Sequence, residues 1–158
     1  MEISLGGFMK VRFLGMSLIL GGILLLVLFL GMPKLVAYTS KNTYCASCHV
    51  MEDQYVSLRK AGIHNQLNCV DCHLPQDNKI RHYFWKGVDG TKDLVKFHFN
   101  LVPEEITISS HGKKIVQENC IRCHQDMVSM INVKDRYCWE CHVKVRHKTS
   151  ASLETLEK

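Results

Sequence analysis

Five-residue units of the form Cys-x-x-Cys-His decide most of what this chain can become. They are Cys45-Ala-Ser-Cys48-His49, Cys69-Val-Asp-Cys72-His73, Cys120-Ile-Arg-Cys123-His124 and Cys138-Trp-Glu-Cys141-His142, and they take up all eight cysteines of the 158 residues. Two thiols one helical turn apart reach the two vinyl groups of one porphyrin, and the next residue offers imidazole to the iron, which is the attachment unit of a c-type haem. Zinc bound by paired Cys-x-x-Cys units needs no histidine after every second cysteine. Disulfides suit an exported protein but leave the four histidines unexplained. Four covalently bound haem c groups are therefore expected, held by Cys45, Cys48, Cys69, Cys72, Cys120, Cys123, Cys138 and Cys141.

Spacing sorts the units into two pairs. The first cysteines are 24 residues apart in the front pair and 18 in the back pair, with a cysteine-free interval of 47 residues between the pairs. Two di-haem units follow. No strand-like alternation of any length is present, so the expected fold is mainly α with little or no sheet. Residues 79–101 read as one helix between Pro75 and Pro103, with Ile80, Phe84, Val88, Leu94, Val95 and Phe99 spaced for one broad face, although Gly87 and Gly90 weaken it. A second helix is expected over 110–120, and a third beginning near 125. Few aliphatic residues remain to build a core, so the porphyrins are expected to supply much of its apolar mass.

Nine histidines less four in the motifs leave His64, His82, His98, His111 and His147. Two imidazoles on one haem iron give a low potential suited to electron relay. His64, five residues before Cys69, and His147, five after His142, lie closest to the motifs and are the leading second ligands. His111 is a weaker candidate, and His82 and His98 are weaker still.

The first 33 residues read as a cytoplasmic tip and a membrane anchor. From Phe13 to Gly31 there is no charge over 19 residues, close to the ~20 needed to cross a hydrocarbon core. That run is longer than the apolar segment of a signal peptide, so an uncleaved anchor is expected. Lys10 and Arg12 precede it and hold the N-terminus in the cytoplasm by the positive-inside rule. Residues 34–148 then form the haem domain on the far side, and 149–158 a polar tail. The net charge of +5 is offset by two propionates per haem, and no nucleic-acid partner is indicated.

At this point the chain resembles the NapC/NirT/NrfH family of membrane-anchored tetrahaem quinol dehydrogenases. The shared features are the single anchor, the four motifs in this order, Cys45-Ala-Ser-Cys48-His49-Val-Met51, Cys72-His73-Leu74-Pro75 and Cys138-Trp139-Glu140-Cys141-His142, the last similar to the NrfH branch. The resemblance implies that Met51 rather than His49 ligates the first haem, whose other face lacks a strong ligand. His73, His124 and His142 would ligate the other three. It also implies a lysine and an acidic residue beside that open face, at a quinol pocket. Lys86 and Asp93 match best, and a shifted alignment would put Asp89 in the acidic role. Positions 86, 89 and 93 share one helix face in any case. If Met51, His64 and His147 serve three haems, one lacks a sixth ligand. In the NrfH branch the similar haem takes a lysine from the partner reductase, and His111 or His98 are the alternatives within this chain.

The leading functional expectation is a single-pass protein of the bacterial inner membrane, N-terminus in and haem domain periplasmic. It would oxidise menaquinol and feed a periplasmic multihaem reductase, foremost the catalytic subunit of ammonia-forming nitrite reductase. A subunit of the same family feeding a nitrate or other reductase is the nearest alternative. A terminal haem reductase acting on its own substrate is the alternative of a different class. No Cys-x-x-Cys-Lys unit, of the kind the related nitrite reductase uses, occurs in the sequence.

Overall fold

The computed structural model describes residues 5–133 and 135–147, with side chains from residue 12 onward. Among them no strand occurs, and the chain is a succession of helices and single 3-10 turns. It separates into two compact units, Met1–Thr39 and Ser40–Lys158. The tail expected over 149–158 lies outside the described residues.

The first unit is one helix, α1 (Leu5–Tyr38). Its stretch Arg12–Tyr38 is 27 residues with a mean hydropathy of 2.7 and no part of its most apolar window buried. At 1.5 Å rise per residue such a helix is ~40 Å long, enough to cross a bilayer core with turns to spare. Pro33 sits inside the helix rather than ending it. One turn of helix therefore continues past the residue at which the sequence suggested a boundary.

Among its described residues the second unit carries six short to medium helices: α2 (Asn42–Cys45), α3 (Glu52–Arg59), α4 (Cys69–His73), α5 (Lys79–His98), α6 (Ser110–Val128) and α7 (Cys138–Cys141). The attachment motifs account for the shortest of them, α2, α4 and α7. The peptide core is small. Its buried apolar side chains among the described residues are Leu58, Leu74 and Ile115, together with Pro75. α4 packs on α6, with Leu74 and Pro75 following α4 and Ile115 on α6.

The long helices owe their limits to local chemistry. Asn78 caps α5, its side chain accepting from the backbone N–H groups of Ile80 and Arg81. α5 ends earlier than the expected residue 101, because Asn100 takes a left-handed conformation (φ 54°). The N–H groups of Asn100 and Leu101 then turn back to the carbonyls of Phe97 and Lys96 at 3.2 and 2.8 Å. This closes the helix in a Schellman motif, a role asparagine can fill. The helices expected over 110–120 and from 125 are the two limbs of α6, which meet at a kink where His124 is non-helical (φ −110°, ψ 21°). Arg81 joins α5 to α6, reaching Asp77 at 2.9 Å and Glu118 at 3.1 Å.

The face of α5 is turned opposite to what the apolar spacing suggests. Ile80, Phe84, Val88, Leu94, Val95 and Phe99 are all exposed, Ile80 at 81% and Phe99 at 71%. At 100° per residue, His82, Lys86, Asp89, Asp93 and Phe97 form the opposite stripe, and that stripe meets the attachment motifs.

Candidate functional site

The four motifs come together in pairs. The thiols of Cys45 and Cys69 share a hydrogen bond, which lowers the Cys45 pKa and raises that of Cys69. Burial raises the Cys120 thiol, and the neighbouring Cys138 adds to it through charge and a hydrogen bond. The first and second motifs are thus neighbours, as are the third and fourth. These neighbours fit two di-haem units, and Cys72 of the second motif also lies near Cys120 and Cys123 of the third.

Imidazoles pair across those units. His73 and His147 stack with ring centres 5.9 Å apart and planes 13° from parallel. His64 and His124 face each other at 6.0 Å and 48°. Two imidazoles bonded to opposite faces of one metal place their ring centres ~6 Å apart, given ~2 Å per metal–nitrogen bond and ~1 Å from nitrogen to ring centre. Both pairs fit a bis-histidine haem iron. Sequence proximity does not tell which motif each spare histidine faces. His64 lies nearest the second motif in the chain but faces the third, and His147 lies nearest the fourth but faces the second. Protein packed around His73, and the charge of His147, hold its pKa below the ordinary value although its side chain keeps solvent exposure. Neutral imidazole is the form that binds iron.

The remaining histidines are placed differently. His82 Nδ1 is 2.8 Å from the Pro75 carbonyl, and His98 Nδ1 is 2.9 Å from that of Leu94. His111 lies on Trp85 with ring centres 3.6 Å apart, and its Nε2 is buried without a hydrogen bond. His142 has no imidazole mate among the described residues. In the first motif His49 is exposed and meets the Phe97 ring at 5.5 Å. Met51 is half-buried at the end of a 3-10 turn over His49–Met51. Among the described residues no three Cys, His, Asp or Glu side chains converge to hold a bare metal ion.

The charged stripe of α5 divides between two motifs. Lys86 and Asp93 both act electrostatically on Cys45 of the first. Asp89 acts on His73 of the second and is held by Lys92 at 2.6 Å. Asp93 lies farther from that ammonium, at 3.9 Å. Desolvation lowers the Lys86 pKa and, with the nearby Asp89, raises that of Asp93. Both shifts penalise the charged form, the direction expected where a neutral ligand approaches.

Three side-chain amides, not anticipated from the sequence, tie the motifs to one another. Asn42 donates from Nδ2 to the Leu67 carbonyl at 2.9 Å and accepts at Oδ1 from the Cys69 N–H at 2.7 Å. Gln117 donates from Nε2 to the Arg136 carbonyl at 3.2 Å and accepts at Oε1 from the Cys138 N–H at 3.0 Å. Asn119, buried on α6, donates to the carbonyls of Cys72 and Leu74 at 2.9 and 2.8 Å.

Comparison with known proteins gives this geometry a family. Residues 9–150 match the model of the NapC/NirT cytochrome c family, N-terminal region. The chain is 33% identical over 144 residues to the cytochrome c-type protein NrfH of Wolinella succinogenes, covering 82% of this chain and 81% of that one. It is 30% identical over 149 residues to the cytochrome c nitrite reductase subunit NrfH of Nitratidesulfovibrio vulgaris, covering 90% of each. Its fold is similar to a chain in the crystal structure of the cytochrome c nitrite reductase NrfHA complex bound to the inhibitor HQNO, with a TM-score of 0.71, 28% identity, and coverage of 85% of this chain and 95% of that one. With its apolar N-terminal helix, its paired motifs and its imidazole pairs, the chain is a membrane protein that carries covalently bound haem c and transfers electrons, and it belongs to the NapC/NirT cytochrome c family.

Proposed function

We propose that this chain oxidises menaquinol at the bacterial inner membrane and passes the electrons through four haems to a periplasmic multihaem reductase, the ammonia-forming nitrite reductase. The observation that carries the quinol half is the placement of Lys86 and Asp93 on one face of α5, both acting on Cys45 of the first motif. The partner half is supported by the relatives, which are named as a subunit of cytochrome c nitrite reductase and as part of its complex. Lys10 and Arg12 before the apolar run support an N-terminus in the cytoplasm and a haem unit in the periplasm.

The haems, when bound, supply one-electron carriers for a two-electron donor. The side chains do the rest. A quinol releases protons as well as electrons, so a base must stand at its oxygen. Asp93, with its pKa raised, accepts that proton, and Lys86 donates a hydrogen bond to the quinone oxygen. Asp89, engaged by Lys92, helps set the field around Asp93. His73 with His147 and His124 with His64 would hold two irons between imidazoles, at low potential. Met51 or His49 would ligate the first iron. His49 and His142 are the motif histidines without an imidazole mate among the described residues, and at the His142 haem a ligand from the partner reductase would fill the position, with His111 or His98 the alternatives within the chain.

Three substitutions test the quinol site. Lys86→Leu and Asp93→Asn are expected to slow menaquinol oxidation by ~10²-fold, the scale of general acid–base contributions, with haem content and reduction by dithionite unchanged. Asp89→Asn is expected to have the smaller effect, and a reversal would move the proton acceptor to Asp89. If none of the three changes turnover, the site lies elsewhere. Copurification from solubilised membranes, with the partner's haem count and nitrite reduction measured, tests the acceptor.

A further inference from the structure

The clamps formed by Asn42 and Gln117 are one device used twice. Each amide sits three residues before the first cysteine of the leading motif of its pair, Cys45 or Cys120. Each accepts from the N–H of the first cysteine of the trailing motif, Cys69 or Cys138. Each also donates to the carbonyl two residues before that cysteine, Leu67 or Arg136. The trailing motifs open α4 and α7, helices of five and four residues whose first N–H groups have no partner within the helix. The bidentate pattern fixes which end of each amide is the donor. Asparagine and glutamine differ by one methylene, so the two sites reach the same hydrogen bonds from backbones at different distances. A helix cap needs only the acceptor. The second bond, to a carbonyl before the helix, fixes direction as well as distance between the two motif segments.

We propose that Asn42 and Gln117 are positioning residues that set the geometry between the two haems of each pair, and so the electron hand-over from the first haem to the second and from the third to the fourth. The proposal rests on the four-haem reading. Each amide acts through the peptide of the trailing motif, whose two cysteines carry the porphyrin. Neither touches a motif histidine in the hydrogen bonds it makes, so iron ligation is expected to survive its removal while the mutual orientation of the porphyrins does not.

The test uses the full-length protein solubilised with its haems, comparing wild type with Asn42→Leu, Gln117→Met and the double variant. Pyridine haemochrome first gives the haem count, and a wild-type chain with fewer than four haems would defeat the four-haem reading rather than the clamps. Soret circular dichroism then reports the orientation of neighbouring porphyrins, and spin state reports ligation. The expected result is a loss of couplet intensity in each single variant. The two difference spectra should differ in shape and add in the double variant, as independent sites do, with spin state unchanged. Asn42→Asp and Gln117→Glu keep the acceptor for the cysteine N–H and lose the donor, so they should show a smaller loss of the same shape, and they serve if the apolar variants do not accumulate. Wild-type spectra in every variant that carries four haems would overturn the proposal. So would one identical change in both single variants, since that is general loosening rather than control of a pair.

Discussion

At the scale of single residues, polar side chains do the work that apolar side chains do in most domains of this size. Asn119 is buried, and its amide satisfies the carbonyls of both Cys72 and Leu74. Asn119→Leu would leave two acceptors without a donor, at a cost of ~1–3 kcal/mol for an unsatisfied buried group. The thermal midpoint of the haem-loaded protein should fall accordingly, while Asn119→Asp should not rescue it, because carboxylate cannot donate to a carbonyl. Asp93 has a different signature. Its pKa is raised in the folded protein, so the fold binds its proton more readily than the unfolded chain does. Its contribution to stability therefore declines as pH rises from the ordinary aspartate value through the raised one. The side chain is 73% exposed, so this effect on melting is small. Turnover should run the other way. A proton acceptor must be ionised, so menaquinol oxidation is expected to fall as pH drops through the raised pKa, and Asp93→Asn should lose that acidic limb without losing stability at neutral pH. A pH–rate profile unchanged in Asp93→Asn would remove Asp93 from the proton path. These roles were only partly legible in the sequence. Helical spacing put Lys86, Asp89 and Asp93 on one face, but only the fold shows that Lys86 and Asp93 address the first motif and Asp89 the second. The amides bind backbone, which leaves no mark on residue type, and the one available signal was the recurrence of Asn42 and Gln117 three residues before a leading cysteine.

Among the elements, α5 shows why periodicity finds a helix more reliably than it finds the helix's environment. Pro75, Pro103 and the 3.6-residue spacing announce the helix, and the structure places it at Lys79–His98. The usual rule then assigns the apolar stripe to a core. In this chain the charged stripe meets the motifs and the apolar stripe is exposed, Ile80 and Phe84 at 81% and 61%. A helix with Trp and Phe among charges suits an interface between lipid and water, where a membrane quinol would approach. Ile80→Glu and Phe84→Glu should leave haem content and the melting curve close to wild type, since neither side chain is buried. Turnover with a lipid-soluble quinol in proteoliposomes should drop, and turnover with a water-soluble quinol analogue should not. Equal loss with both donors would mean that the stripe serves the quinol pocket itself rather than the approach from lipid. α6 gives a second case. The sequence suggested a helix ending near 120 and another starting near 125, and the helical run does break, at the non-helical His124, a few residues after the expected end of the first limb. The break falls on the histidine of the attachment unit.

Across the whole haem unit, the exchange of histidines between the two pairs matters more than the pairs themselves. Linear spacing correctly groups the motifs as first with second and third with fourth, and the neighbouring cysteines carry that grouping into the fold. It says nothing of His64 reaching the third motif or His147 the second, because a ligand's address is set by packing at long sequence separation. The peptide core holds few apolar side chains, so two iron-bridged straps, one in each direction, would be a large share of what holds the pairs together. Two predictions separate this from a local arrangement. His64→Leu and His147→Leu should each convert one low-spin haem to a five-coordinate, high-spin one, and the double variant two, read by near-infrared and electron paramagnetic resonance spectra. If the straps cross as the ring pairs indicate, removing the third haem through Cys120→Ala with Cys123→Ala should abolish the spectral effect of His64→Leu and preserve that of His147→Leu. Removing the second haem through Cys69→Ala with Cys72→Ala should do the reverse. The opposite assignment would return His64 to its sequence neighbour, leave the His64–His124 approach of 6.0 Å without a function, and leave the two pairs joined by the packing of α4 on α6, by Asn119 and by the ion pair of Arg81 with Glu118.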